Sequence, residues 1–406
     1  MTFDFDTVID RRNSDSQKWR KYAGTDIIPL WVADMDFAAP PAVIDALHRR
    51  VDHRVFGYAK PLPSQVAAVI DYCWQRYQWR IEAEWIVWLP GLVPGLNVAA
   101  HAVGVPGDAV LCATPVYGPF LSAPKLAGRE TIAVPLRPDR PGQGARWEMD
   151  WDALERAVTP RTRQFFLCHP HNPVGRAFAR AELERLAAFC ERHDLVVTSD
   201  EIHCDLVLDD VPHIPTGALS PAVAARTITL MAPSKTYNIA GLGCSFAIIS
   251  TPALRAAFNR AMAGIVPDAN LLGFIAAEAA MKHGEPWRRE LIGYLRANRD
   301  YLFDFVSQNL PGVTMARCEA TYLAWLDVSA LQLESPVTFF EKHGVGLSDG
   351  TLFGAPPRRF LRLNFGCPRA TLTEALTRMQ RAIHARPQPS FPSSPAPIGG
   401  GGHHSP

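Results

Sequence analysis

Lysine is scarce in this sequence, and one lysine stands in an unusual setting. Of the 406 residues only seven are lysines, and Lys235 closes an apolar, β-rich run, TITLMAPSK, next to Ser234. A lysine buried at the end of a strand has a lowered pKa and can act as a nucleophile or a base. A surface lysine is the more common explanation of such a position. The adjacent serine also leaves a serine–lysine hydrolase open.

Acidic residues follow a second strand-like run, LVVTSD. Asp200 closes this run, and Glu201, His203 and Asp205 follow it closely. A carboxylate at a buried strand end could bind a metal, act as a base or pair with a cationic ring, or it could simply cap the next turn. Alternation along an extended chain points Asp200 and Glu201 to opposite faces, which argues against a metal site.

Three further motifs stand where strands are expected to end. Asn172 projects from HPHNPVG, a turn made stiff by two prolines, and Tyr117 lies in TPVYG. The tyrosine ring could stack on a flat ligand or pack in the core. LPGLVPGL leads from a strand into a helix, whose first N–H groups can bind an anion. With Lys235 and Asp200, these parts suit a flat, cationic, phosphorylated aldehyde: pyridoxal 5′-phosphate (PLP).

The elements that must position these residues follow an alternating pattern. Residues 181–194 form an amphipathic helix that leads directly into the run ending at Asp200. Buried strands that alternate with helices predict an α/β layer with a mostly parallel sheet. The predicted strands of this layer are residues 109–115, 163–170, 195–201, 227–235 and 245–250.

The same patterns predict how the chain is divided. An N-terminal arm, 1–45, precedes a large PLP-binding domain, 46–285, and a smaller α+β domain, 286–385. The smaller domain begins with a long helix and contains strands at 321–328 and 360–366. Residues 386–406 are rich in Pro, Gly and Ser without periodicity, which predicts a disordered tail.

Composition limits the partners of the protein. The chain has 41 Lys+Arg and 40 Asp+Glu, a net charge of +1, which gives no footprint for nucleic acid or an anionic membrane. Residues 85–107 are uncharged and long enough to span a bilayer, but two Pro-Gly pairs interrupt them, so a buried strand, a turn and a helix are predicted. Eight scattered cysteines and a polar, acidic N-terminus indicate a reduced, cytoplasmic protein.

The motifs together resemble the class I/II aminotransferase family, PLP enzymes of fold type I. Within that family the chain resembles the MalY/PatB group of cystathionine β-lyases, or C–S lyases. The resemblance runs from DFDTVIDRR to about residue 385. The motifs that carry it are IIPLWVADMDF, FGY, TPVYGPF, HPHNPVGRAF, DEIHCDLV, APSKTYNIAGL and RLNFGCPR.

The resemblance implies a seven-stranded, mostly parallel sheet flanked by helices and a set of cofactor contacts. Lys235 would form a Schiff base with PLP and then shuttle the proton at Cα, while Asp200 would pair with the pyridine nitrogen. Asn172 would bind the ring 3′-oxygen, and Tyr117 would stack on the ring. The remaining cofactor contacts would be Leu92, Val93 and Ser234 at the phosphate, His203, and Tyr58 from the neighbouring subunit of a homodimer.

The resemblance also implies the substrate site and the reaction. Arg362 would bind the substrate carboxylate with a bidentate pair, in preference to Arg369, and Tyr58, Ala33 and Asp34 would lie beside it. The substrate would be L-cystathionine or a related cysteine S-conjugate. β-Elimination would release the thiol (homocysteine from cystathionine), pyruvate and ammonia.

One position departs from the pattern of many aminotransferases. An arginine that binds the phosphate would stand eight residues after Lys235, where this chain has Gly243. The β-lyase group often lacks this arginine too, so the gap favours a lyase over an aminotransferase on the same scaffold. An aminotransferase, and a protein that keeps the fold but regulates another protein by binding it, remain the alternatives.

Overall fold

The computed structural model of the protein describes residues 2–386. The predicted tail therefore lies, apart from Arg386, outside the described residues. Within them the helices are α1 Gln17–Arg20, α2 Pro41–Asp52, α3 Pro63–Tyr77, α4 Leu92–Ala102, α5 Pro119–Leu126, α6 Trp151–Ala157, α7 Arg180–Arg192, α8 Pro221–Ala225, α9 Pro252–Met262, α10 Leu271–His283, α11 Glu285–Asn309, α12 Pro336–Lys342 and α13 Arg369–His384.

The strands form one large sheet, one smaller sheet and two short pairs. In chain order they are β1 Ile28–Pro29, β2 Ile86–Leu89, β3 Ala109–Thr114, β4 Glu130–Pro135, β5 Arg137–Pro138, β6 Trp147–Glu148, β7 Thr162–Cys168, β8 Val196–Asp200, β9 Thr227–Met231, β10 Ser245–Ile248, β11 Thr314–Met315, β12 Leu323–Asp327, β13 Val345–Gly346, β14 Ser348–Asp349 and β15 Phe360–Asn364. The short pairs are β1 with β13 and β5 with β6.

The large sheet has seven strands in the order β2-β10-β9-β8-β7-β3-β4. Neighbours from β9 to β4 run parallel, and β10 runs antiparallel to both β9 and β2. Every residue of β3 and of β9 is buried, because helices cover both faces. Leu96 of α4 and Phe258 of α9 lie in the core on one face, and Leu186 of α7 lies in the core on the other. The predicted mostly parallel α/β sheet is confirmed.

The smaller sheet is antiparallel, in the order β11-β12-β15-β14. It shares a core with α11 and α13, represented by Leu295, Leu326 and Leu376. This is the predicted α+β unit that follows the large sheet. The boundaries at residues 45 and 285 stay a prediction. No helix in residues 2–386 has the length and apolar content needed to cross a membrane.

The local elements predicted from the sequence are present, but a predicted strand can end earlier in the structure. The uncharged stretch at 85–107 forms the expected strand, turn and helix, β2 and α4. The strand predicted at 227–235 ends at Met231, and Lys235 lies in the turn that follows it. Pro233 contributes to this early end, because proline has no N–H to donate to a neighbouring strand.

Residues 31–37, here called the strap, cross between the two sheets and are held from both sides. On the small-sheet side, Asn364 donates from Nδ2 to the carbonyls of Val32 and Asp34, at 2.7 Å each. On the large-sheet side, the Asn238 side chain donates to the carbonyls of Met35 and Phe37, at 3.0 and 2.7 Å, and accepts from the Met35 N–H at 3.0 Å. Two asparagine side chains thus fix an irregular segment that lacks sheet partners of its own.

A buried ion pair anchors the far end of the strap. The Asp36 carboxylate accepts from Lys18 Nζ at 2.6 Å, Arg11 Nη1 at 2.7 Å and Trp19 Nε1 at 3.0 Å. Lys18 is almost fully buried, and a buried charge is tolerated only when it is paired and hydrogen-bonded. The preceding segment, including α1, is therefore tied to the strap.

We predict that Asn238→Ala destabilises the protein by about 3 kcal/mol, since each lost hydrogen bond contributes about 1 kcal/mol. Alanine is also less tolerant than asparagine of the positive φ of 55° at this position. Denaturant unfolding measures the effect, and Asn259→Ala on the exposed side of α9 is the matched control. Equal unfolding midpoints for the two variants would contradict the anchoring role.

Candidate active site

The carboxyl ends of four parallel strands meet at one edge of the large sheet, and the predicted residues follow them. Tyr117 comes after β3, Asn172 after β7, Asp200 ends β8 and Lys235 follows β9. The Tyr117 N–H donates to the Asn172 carbonyl at 3.1 Å. In open α/β sheets, ligands bind in the crevice outside these strand ends.

Lys235 is partly buried in the turn that follows β9, where its sequence context predicted a buried lysine. Burial, with help from Arg362, lowers the pKa of its amine from 10.5 to about 8, while Asp34 and Asp200 act in the opposite direction. Its Nζ donates to the Ala33 carbonyl of the strap. An amine with this pKa keeps a far larger neutral fraction near physiological pH than an ordinary lysine does, and it can act as a nucleophile or a base.

Asp200 is buried without a cationic partner among the described residues. Its Oδ1 accepts from the Ile202 N–H at 3.1 Å. Burial is the main reason that its pKa rises from 3.8 to about 7, and Glu201 adds to the rise. A buried carboxylate in this state suits a ligand that brings its own cation, such as a protonated pyridine ring.

Arg362 is a buried guanidinium whose hydrogen-bond partners within the described residues are neutral. Its Nη1 donates to Asn172 Oδ1 at 3.1 Å, and its Nη2 donates to the Trp31 carbonyl at 2.7 Å and to Ser348 Oγ at 3.4 Å. The guanidinium also lies 4.7 Å from the centre of the Phe353 ring. Burial lowers its pKa to about 10. An arginine so placed can receive a ligand carboxylate.

The start of α4 provides the anion-binding geometry expected at Leu92 and Val93. No side chain caps this helix, whose N-cap residue is Gly91, so its first N–H groups remain available for a ligand. Gly243 approaches the same turn: a Cβ there would lie 3.2 Å from the Pro90 carbonyl, and its φ is +60°. An arginine at 243 would therefore be strained in this backbone.

The other predicted residues differ in how closely they approach the site. His203 is buried, and burial, followed by Lys235 and Arg362, lowers its pKa to about 3, so the ring is neutral. The side chain of Asp34 binds Arg11 through Oδ2 at 2.7 Å, and its buried Oδ1 has no partner in the described residues. Ser234 is partly buried beside Lys235. Tyr58 is fully exposed, and within one chain it is not part of the cluster.

The neighbours of Asp200 have partners of their own away from the cluster. Glu201 Oε2 lies 2.7 Å from His213 Nε2. Asp205 accepts from the Tyr72 and Tyr77 hydroxyls at 2.6 and 2.8 Å. The four residues first considered together as metal ligands are thus divided among separate hydrogen-bond networks.

Sequence reasoning missed five residues that shape the site. Asn238 and Asn364 lay inside the motifs SKTYNIAGL and RLNFG and could have been found there. Trp31, Ser348 and Tyr322 act through a backbone carbonyl or a single hydroxyl, for which the sequence carries no signal. Tyr322 donates to the Ala33 carbonyl at 3.0 Å.

A separate cavity of about 830 Å³ contains none of these residues and is lined by arginines, acids and apolar side chains. Arg146 pairs with Glu319 at 2.7 Å, and Arg299 and Arg317 pair with Asp209 at 2.5 and 3.0 Å. Because these charges satisfy one another, the cavity lacks the unpartnered buried groups of the sheet-edge site.

Taken together, the groups at the sheet edge fit PLP. The amine of Lys235 suits its aldehyde, the Asp200 carboxylate its ring nitrogen, and the first turn of α4 its phosphate. The lack of a cationic partner for Asp200 among the described residues and the uncapped start of α4 are the observations that favour the fit.

Comparison with known proteins agrees with this chemistry. The family described as aminotransferase class I and II matches residues 25–379, so the chain belongs to that family. Cystathionine beta-lyase PatB of Bacillus subtilis is 39% identical over 388 residues, covering 93% of this chain and 99% of its own.

Solved structures give the same result. The crystal structure of OvoB superposes with a TM-score of 0.91 at 49% identity, covering 95% of this chain and all of that chain. The PLP-bound C–S lyase from Staphylococcus hominis has a TM-score of 0.87 at 32% identity, covering 94% and 98%. The predicted MalY/PatB-type resemblance, fold type and cofactor are confirmed. The protein is a PLP-dependent carbon–sulfur β-lyase.

We predict that Asp200→Asn stabilises the apoprotein at pH 8. Because the folded-state pKa of Asp200 is raised to about 7, wild-type stability is lost as the pH rises from about 4 to about 7, and the neutral amide avoids this loss. Melting temperatures across this range measure the effect, with exposed Asp152→Asn as the control. A variant less stable than wild type at pH 8 would contradict the assignment.

Proposed function

We propose that the protein cleaves L-cystathionine or a related cysteine S-conjugate into a thiol, pyruvate and ammonia. The observation that carries the proposal is a trio formed by partly buried Lys235 and by buried Asp200 and Arg362. It offers an amine, a carboxylate and a guanidinium that have no charged hydrogen-bond partner within the described residues. PLP, when bound, serves as the electron sink that stabilises the carbanion formed at Cα. The names of the relatives support sulfur amino acids as the substrate class.

Arg362 orients the substrate. Its guanidinium binds the α-carboxylate, and its own bonds to Asn172 and to the Trp31 carbonyl fix its position. Asn172 accepts through Oδ1 in this contact, which leaves Nδ2 to donate to the 3′-oxygen of the ring. One arginine and one asparagine thereby set substrate and cofactor in a fixed relation.

Lys235 holds PLP and, once its amine is free, removes the proton at Cα. A positioned general base contributes roughly 10²- to 10⁴-fold to the rate. Its pKa of about 8 leaves enough neutral amine for this role near neutral pH. After this step the Lys235 amine holds the proton taken from Cα. It can then donate that proton to the sulfur that leaves from Cβ.

Asp200 keeps the ring nitrogen protonated. The pKa of about 7 belongs to the carboxyl without a cation beside it, and an adjacent cation favours its ionised form. The Leu92 and Val93 N–H groups and Ser234 hold the phosphate, Tyr117 stacks on the ring, and neutral His203 borders it.

We expect Lys235→Ala to keep the fold and to lose all turnover, because the side chain that attaches PLP and moves the Cα proton is gone. The assay adds L-cystathionine and measures pyruvate and free thiol together, with the exposed Lys125→Ala as the control. Pyruvate release by the Lys235→Ala protein would contradict the assignment.

The same assay on the wild type separates the alternatives. Equal amounts of pyruvate and thiol support the β-lyase. Conversion of bound PLP to its amine form, reversed by a keto acid, would indicate an aminotransferase. A protein that is colourless and stays colourless after PLP is added would instead favour a protein-binding role.

We predict that Arg362→Lys raises KM for the amino acid about 10- to 100-fold, the loss expected when one charge-assisted hydrogen bond of a bidentate pair is removed. Lysine keeps the charge but not the planar pair of donors. Steady-state kinetics measure the change, and Arg359→Lys, an exposed arginine of the same region, is the control. An unchanged KM would move the carboxylate contact to another residue.

We propose that two copies of the chain form a homodimer through the segment that follows α2. Val55, Phe56 and Leu62 are exposed by 61%, 58% and 55%, and Tyr58 stands fully in solvent between them. Apolar side chains concentrated in one short segment are typical of an interface. Tyr58 would then reach the phosphate region of the partner's site. The eight free, buried cysteines suit a reducing compartment such as the cytoplasm.

We predict that Phe56→Asp yields a monomer of reduced activity, because a carboxylate would be desolvated at the interface. Light scattering after gel filtration measures the mass. The control is Val105→Asp, since Val105 is equally exposed, at 62%, but lies in another segment of the chain, shortly before β3. A fully active wild-type monomer would remove the role given to Tyr58.

A further inference from the structure

The Ala33 carbonyl of the strap accepts hydrogen bonds from both sides of the site. Lys235 Nζ donates to it from the turn after β9, and the Tyr322 hydroxyl donates to it at 3.0 Å from the residue before β12. Tyr322 is completely buried. A lysine side chain has four flexible carbons, so its amine points in one direction only when a fixed acceptor is present.

The backbone that presents Tyr322 is strained. Thr321 has a φ of +73°, a conformation that is rare for a β-branched residue. Surrounding bonds maintain it: the Thr321 N–H donates to the Leu206 carbonyl at 2.7 Å, and Thr321 Oγ1 accepts from the Leu323 N–H at 3.1 Å. Strain of this kind is concentrated at functional sites.

The strained turn connects Tyr322 to the catalytic strand ends. Leu206 lies in the segment that begins at Asp200, and the Tyr322 carbonyl accepts from the Phe365 N–H at 2.9 Å, next to Asn364, which holds the strap. The Tyr322 ring also contacts the His203 ring edge-on, with centroids 6.0 Å apart. The hydroxyl is therefore fixed relative to both the strap and the cofactor site.

We infer that Tyr322 is a positioning residue for Lys235: its hydroxyl fixes the Ala33 carbonyl as the acceptor that directs the free amine toward the Cα proton. The inference rests on the proposed role of Lys235 and assigns to Tyr322 no direct contact with the substrate. Small errors in the placement of a base reduce rates strongly. The strain at Thr321 is explained as the means by which the hydroxyl reaches this carbonyl.

The test uses the PLP-loaded enzyme and Tyr322→Phe, which removes one oxygen atom. L-Alanine has no leaving group, so exchange of its Cα proton for deuterium in D₂O, followed by NMR, measures proton transfer without elimination. We expect exchange to fall about tenfold with little change in KM, the effect of one lost hydrogen bond. Tyr301→Phe is the control, because the Tyr301 hydroxyl makes no hydrogen bond within the described residues.

A second measurement needs no turnover. Covalent attachment of PLP to the apoprotein requires the neutral amine of Lys235, so its pH dependence reports the pKa of that amine. Tyr322→Phe should move the midpoint to lower pH, since a less fixed carbonyl stabilises the ammonium less. The charged and titratable groups around the amine, unchanged in the variant, are Asp34, Asp200, His203 and Arg362.

The outcomes separate this inference from the proposed function. Slower exchange with a shifted midpoint supports the positioning role, even if the wild type releases no pyruvate from cystathionine, a result that would remove the substrate proposal alone. Exchange at the wild-type rate overturns the inference. Slower exchange with an unmoved midpoint also overturns it, because a general loss of structure would act in that way.

Discussion

The site depends on hydrogen bonds to the backbone of the strap. Its carbonyls accept from Lys235 and Tyr322 at Ala33 and from Arg362 at Trp31, and side-chain amides from both sides fix the residues next to them. A backbone carbonyl can satisfy a cation's donors without neutralising its charge. The strap thus lets a partly buried amine and a buried guanidinium remain hydrogen-bonded while their charges stay available to a ligand.

This arrangement lowers the stability of the apoprotein. A buried carboxylate without a cation and a buried guanidinium without a carboxylate are each unfavourable. Within the described residues, Asp200 and Arg362 are in these two states. PLP and an amino acid carry the complementary charges, a cationic ring and a carboxylate. Under the proposed roles of Asp200 and Arg362, binding would relieve the desolvation cost, and the same groups that weaken the empty fold would select the ligand.

The structure explains why glycine, and not arginine, stands at position 243. The positive φ and the nearness of the Pro90 carbonyl bring the backbone close to the start of α4, where an arginine would otherwise extend toward the phosphate. Under the proposed function, the phosphate would instead be held by helix N–H groups and hydroxyls, and by a neighbouring subunit of the proposed dimer. The family relationship predicts the fold. The turn at Gly243 distinguishes a site that would bind the phosphate without this arginine from one that would bind it with the arginine.

The sequence alone determined the local elements and the residues that end them. Uniformly apolar runs specify buried strands, and the polar residue after each run must lie at the sheet edge, so Tyr117, Asn172, Asp200 and Lys235 could be located in advance. Only the tertiary structure decided what surrounds them. Arg362 and Trp31 are 331 residues apart in sequence, and Tyr322 and Ala33 are 289 apart. Contacts made through a backbone carbonyl leave no side-chain pattern, because any residue supplies the same oxygen atom.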